Sequence, residues 1–126
     1  MESAVHYSPV RSDQRFKAVE RALVLLDGGN ESLPHHILDI SRGGLSFRYL
    51  GQRLKRGMLQ TISLYHDREL IVADIPIQSV SDYRLRDNLV PVRRGSVQFG
   101  DLDQETEGKL ERFINQFTEA PLSAAS

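Results

Sequence analysis

The chain has no cysteine, which excludes a disulfide scaffold, a cysteine-based zinc site and a thiol nucleophile. No apolar run is long enough to span a bilayer, and the N-terminus lacks the basic-then-apolar pattern of a secretory signal. The expected location is therefore cytoplasmic, with no membrane insertion. Net charge is almost absent: 16 Lys and Arg against 17 Asp and Glu leave −1. That balance excludes a bulk polycation gripping nucleic acid by charge alone. Lysine is scarce, with Lys17, Lys55 and Lys109 standing against 13 arginines. Guanidinium groups stack on flat rings and fork onto phosphates, which ammonium groups do poorly; genomic base composition can produce the same bias. What is present suffices for one domain, since 126 residues, 40% of them hydrophobic, can bury about two-thirds of their unfolded surface.

Residues 1–14 are polar, contain Pro9 and show no apolar period, so they read as a mobile arm carrying Arg11. An apolar run over 22–26 closes on Asp27, Gly28, Gly29 and Asn30, a turn signal, and the chain returns over 35–40. Leu45, Ser46, Phe47, Arg48 and Tyr49 alternate apolar and polar, the period of a half-buried strand. Further strands are predicted over 58–65, 69–80 and 90–99, with 51–57 and 83–89 as loops. Pro76 marks an edge or a bulge. The period then switches: Leu110, Phe113, Ile114 and Phe117 form one helical stripe that reads as core packing, with Asp101 or Asp103 as cap. The predicted architecture is all-β with a terminal helix: a six-stranded antiparallel barrel over 15–118, followed by a flexible tail over 119–126.

Catalytic chemistry finds little support. His35, His36 and Asp39 suggest a metal, but adjacent strand residues face opposite ways. Only His35 and Asp39 would share a side, and no third ligand is evident. His66 and Asp67 fall in a turn without a nucleophile motif, a Walker loop or a dinucleotide fingerprint. No catalytic residue, metal or cofactor is expected, and the chain reads as a non-enzyme.

Two spacings carry more. Arg11 and Arg15 form an Arg-x-x-x-Arg pair, of which about 1.3 are expected by chance in this composition. Asp39, Ser41 and Gly44 give Asp-x-Ser-x-x-Gly between two predicted strands, for which chance supplies roughly 0.08. Arginines on an arm can fold over a ligand that offers both aromatic planes and phosphates. Asp39 and Ser41, at i and i+2, would project from one strand face. There a carboxylate can accept the N1–H and 2-amino group of guanine, and a hydroxyl can bond phosphate or N7. Gly43 and Gly44 permit a tight turn with accessible N–H groups. The same residues also fit an Asx-type hairpin turn without any ligand. Over 11–22 the basic residues exceed the acidic by two, enough to attract an anion locally. Arg42, Arg48, Arg93 and Arg94 read as solvated strand-face charges that add to this field.

With 23 residues between Arg15 and Asp39, the chain resembles the PilZ domain, a bacterial receptor module for cyclic di-GMP. Phe16 leading into a strand, the run from Asp39 to Leu45, and Ser96 to Leu102 before the helix extend the likeness over 11–118. The resemblance implies a six-stranded barrel with a C-terminal helix and cyclic di-GMP on its outer surface. Carried over by position, Arg11 and Arg15 would bind phosphates and stack on guanine. Asp39 and Ser41 would read the guanine edge and a phosphate, with Gly43 and Gly44 shaping the turn; Phe16, Arg42, Arg94 and Ser96 are accessory candidates. One departure stands out: Ser96 occupies a place where the family usually has glycine. The implied function is a second-messenger receptor that orders its N-terminal arm on binding and signals to an effector protein. That effector would belong to motility, exopolysaccharide, pilus or transcription machinery. The alternative is a PilZ-like interaction module that does not bind the nucleotide. A barrel for single-stranded nucleic acid would need a basic groove interleaved with exposed aromatics, and no nucleic acid polymer is expected as partner.

Overall fold

Leu45, Phe47 and Tyr49 are buried, whereas Arg48 and Leu50 on the alternate positions are exposed. This two-residue period, repeated strand after strand, builds a barrel in the computed structural model, which describes residues 14–27, 34–50, 61–86 and 92–121. The elements are β1 (Phe16–Ala18), β2 (Ala22–Asp27), β3 (His35–Ile40), β4 (Gly44–Leu50), β5 (Thr61–His66), β6 (Glu69–Arg86), β7 (Val92–Phe99), α1 (Gln104–Phe117) and β8 (Thr118–Pro121). Six antiparallel strands run β2-β5-β6-β7-β4-β3, and pairing of β2 with β3 closes the ring. Closure removes the free edges that an open sheet would expose. Beyond β2's reach, the end of β3 pairs with β1, which in turn carries β8.

Val24, Ile37, Phe47, Ile62, Leu64, Ile75 and Val97 fill the interior. Leu110, Phe113 and Ile114 of α1 are buried against them as the stripe predicts, each contributing about 1.5–3 kcal/mol of burial. Phe117 is only partly buried and stacks on His66, with ring centroids 4.5 Å apart. Asp103 is the N-cap, accepting from the Thr106 N–H at 2.7 Å. Among the described residues no helix is long and apolar enough to cross a membrane.

Several boundaries differ from the sequence reading. Residues 83–86 extend β6 rather than forming a loop, with Tyr83 opposite Arg94 and Arg84 opposite Arg93; ladder pairing outweighs their charged composition. Pro76 lies on no edge, because β5 and β7 flank it. Register shifts occur on both sides of it, and Asp74 takes a φ of 58° in the first, so the bulge expectation holds. The chain stays regular past 118, where β8 adds to β1. Predicted features at 1–13, 28–30, 51–60, 87–91 and 122–126 lie outside the described residues.

Candidate functional site

A hairpin turn joins β3 to β4. The Ser41 N–H donates to the Gly44 carbonyl at 2.8 Å, and the Ser41 hydroxyl accepts from the Gly43 N–H at 3.1 Å. The same hydroxyl lies 3.3 Å from the Gly44 carbonyl, as a donor. The Gly43 carbonyl accepts from the Phe99 N–H at 2.9 Å, which ties the turn to the end of β7. Gly44 is required by close approach rather than by a left-handed backbone, since a Cβ there would collide with the Val97 carbonyl oxygen. The turn reading therefore accounts for Ser41, Gly43 and Gly44. It leaves Asp39 unexplained.

Asp39 is set by a bulge. Ile37 lies opposite Phe47 and Asp39 opposite Ser46, so β3 holds one extra residue, Leu38, between them. The bulge reverses the phase of the strand: Ile37 and Ile40 are core residues, and Asp39 faces the outer side with Ser46. His35 instead stacks on Phe47 at 5.7 Å inside the barrel. The expectation that His35 and Asp39 share a side is thus corrected by the inserted residue. Ser41 follows the end of β3 at Ile40, and its hydroxyl is committed to the turn.

Around Asp39 three donors converge. Arg15, just before β1, pairs with Oδ1. Ser46 donates to Oδ2 at 2.8 Å, and Arg94 Nη2 reaches the same oxygen at 2.7 Å and Ser46 Oγ at 2.9 Å. The carboxylate is almost fully covered, at 3 % exposure, while the Arg15 and Arg94 side chains remain 44 % and 32 % exposed. A carboxylate hidden this far requires compensating charge, and both guanidiniums supply it while keeping a face toward solvent. The Arg15–Asp39 pair is 24 positions apart in sequence. Of the predicted residues, the structure brings together Arg15, Asp39 and the accessory Arg94, with the Ser41–Gly44 turn beside them.

Other candidates fall elsewhere. Arg11 lies outside the described residues. Phe16 is opposite Ile40 and packs against the core. Arg42 turns to α1, 3.4 Å from Glu111. Ser96 is half-buried directly opposite Ser46 on β7. Arg93, expected as a solvated charge, is buried at 7 % exposure, because it shares the inward phase of Gly95, Val97 and Phe99. Its Nε donates to the Tyr49 hydroxyl at 3.3 Å and lies 3.6 Å from Asp82, to which Tyr49 also donates. The Tyr49 hydrogen bond, opposed by burial and aided by the hydrogen bond and charge of Asp82, raises the Arg93 pKa above its ordinary value. Ser46 belongs to neither motif; the register of the turn through 41–44 places it opposite Asp39. Among the described residues no group of three or more His, Cys, Asp or Glu could hold a metal ion.

A family model described as the PilZ domain matches residues 9–116. Among solved structures the chain is similar to the PilZ domain with c-di-GMP of YcgR from Escherichia coli. The two are 20% identical over 83% of this chain and 88% of that one, with a TM-score of 0.52; at that identity the likeness bears on the fold. No curated protein matches the chain.

Proposed function

This chain belongs to the PilZ domain family, and from that premise we propose that it is a receptor for cyclic di-GMP that signals to a partner protein without transforming its ligand. The observation that carries the reading is the meeting of Arg15 with Asp39 on the outer face of the barrel. The ends of the Arg-x-x-x-Arg and Asp-x-Ser-x-x-Gly motifs thus stand in one place.

The chemistry of binding follows from the donors around Asp39. A carboxylate offers about four lone-pair positions, and Arg15, Ser46 and Arg94 use three. Ser46 and Arg94 hold Oδ2 in place, whereas Oδ1 has Arg15 as its partner. A phosphodiester of the ligand, carrying one negative charge, would draw the more exposed Arg15 guanidinium away, exchanging one anionic partner for another. Oδ1 would then accept the N1–H and 2-amino group of guanine, while Oδ2 stays fixed. Arg15 leads directly into β1, and β1 is held between β3 and β8. A ligand that engages both Arg15 and Asp39 would fix the start of β1 between β3 and β8. This supports an arm-ordering switch as the signal a partner would read.

Calorimetric titration with cyclic di-GMP tests the reading. Arg15→Ala and Asp39→Ala each remove a charge-assisted contact of about 1.5–3 kcal/mol, so binding should weaken roughly 10- to 150-fold. Unchanged affinity in both variants would remove the site assignment. A folded wild-type protein that gives no binding heat, yet retains a partner in pull-downs, would favour the interaction-module reading.

A further inference from the structure

One row of the outer face runs from the Asp39 cluster, at Arg94, to two residues that have no role in it. On the β3–β4–β7 sheet, Arg48 stands directly opposite His36 on one side and Arg94 on the other. His36 and Arg48 are both exposed. Like charges directly opposite each other destabilise a sheet, and the Arg48–Arg94 pair is such a case. Arg94 is compensated by Asp39 and Ser46. Arg48 makes no ion pair or side-chain hydrogen bond among the described residues. The strip formed by Arg15, Arg94, Arg48 and Asp39 thus has three guanidiniums and one carboxylate, a surplus of two positive charges before His36 is considered.

Distance makes the row part of the same surface. Arg48 follows Ser46 by two positions on β4, which places their Cα atoms about 7 Å apart on one face. The adjacent strand at β7 is about 5 Å away. A guanidinium on its flexible stem spans such gaps, so Arg48 and Arg94 can flank an anion seated over Ser46 without any change in the backbone.

We propose that Arg48, with His36 beside it, is a further anion-binding element that takes a phosphate oxyanion of the ligand. This rests on the receptor reading above and extends it. Arg15 and Asp39 address one end of a cyclic dinucleotide, and the Arg48 row receives the phosphodiester that lies further along β4. The surplus of two positive charges matches the two negative charges of such a ligand, and binding removes the repulsion between Arg48 and Arg94.

The test pairs calorimetry with NMR of arginine Nε–Hε groups. Arg48→Ala should weaken cyclic di-GMP binding about tenfold, and it should flatten the dependence of affinity on salt by about one charge. Arg48→Lys should restore part of the affinity. The ligand-free variant should melt at or above the wild-type temperature, because a repulsive contact has gone; this separates a binding role from a structural one. Wild-type affinity in Arg48→Ala, alongside lost affinity in Arg15→Ala, would overturn the proposal and leave the receptor reading standing. If the wild-type protein ignores cyclic di-GMP, the receptor reading fails, and inorganic pyrophosphate then decides. A saturable shift of the Arg48 resonance supports an anion site, and no shift refutes it.

Discussion

Arg93 and Arg94 are consecutive residues of β7 and face opposite sides of one sheet. Arg93 points inward to Tyr49 and Asp82, where solvent hardly reaches. Arg94 points outward to Asp39 and Ser46 and keeps a third of its side chain exposed. Both clusters join an arginine to an aspartate and a hydroxyl, and both link strands in the β3–β4–β7–β6 half of the barrel. Their surroundings assign them different tasks. A buried pair is shielded from incoming groups, and removal of one partner leaves the other charge stranded in the interior. A covered carboxylate ringed by half-exposed guanidiniums can exchange one partner for a ligand anion at small cost. Side-chain phase along a single strand thus separates a cluster closed inside the barrel from one open to solvent beside Asp39.

That separation can be broken experimentally, with the largest effect on the inner side. Asp82→Ala strands Arg93 and should lower Tm by roughly 10–20 °C, while the folded fraction keeps its ligand affinity; differential scanning calorimetry and titration read the two quantities. Equal losses of stability and affinity would show that the clusters are coupled through the sheet. On the outer side the effect moves to binding. Arg94→Ala leaves Oδ2 of Asp39 with Ser46 alone, and affinity should fall about tenfold with a Tm change of only a few degrees.

The smallest effect lies away from both clusters and serves as their control. The Thr106 backbone N–H bonded to Asp103 holds that carboxyl below its ordinary pKa. A depressed folded-state pKa contributes stability that is fully present above the unfolded value and lost as pH falls through the folded one. Asp103→Ala should therefore lower Tm by a few degrees near neutrality, and its deficit should vanish in acid. Ligand affinity should not change, since the cap is remote from Asp39 in the chain and in its bonding.

Much of this was legible in the sequence where one local period governs. The alternation through Leu45–Tyr49 and the stripe of Leu110, Phe113 and Ile114 gave strand and helix their buried faces, because burial in those segments follows chain geometry alone. Motif spacing let Arg15 and Asp39 be read as two halves of one ligand site; their pairing with each other is seen only in the structure. Less accessible was anything dependent on an inserted residue or on another strand. The bulge at Leu38 has no compositional mark, yet it turns Asp39 outward and parts it from His35. Arg93 reads as a surface charge until its partners, Tyr49 on β4 and Asp82 on β6, are seen to line the same interior. Ser46 acquires meaning only when hairpin register sets it against Asp39. Ser41 shows the reverse: its motif position was plain and a turn was one of its two readings, and the hydrogen bonds commit its hydroxyl to that turn.

The most direct measurement is a calorimetric titration of the wild-type protein with cyclic di-GMP against cyclic di-AMP. The two ligands share their phosphates but differ at the base edge, where adenine lacks the N1–H and 2-amino donors that Asp39 would accept. Saturable binding of the guanine ligand, with the adenine ligand weaker by tenfold or more, is the predicted result. Equal affinity for both, or binding of neither, would contradict a site in which Asp39 reads guanine.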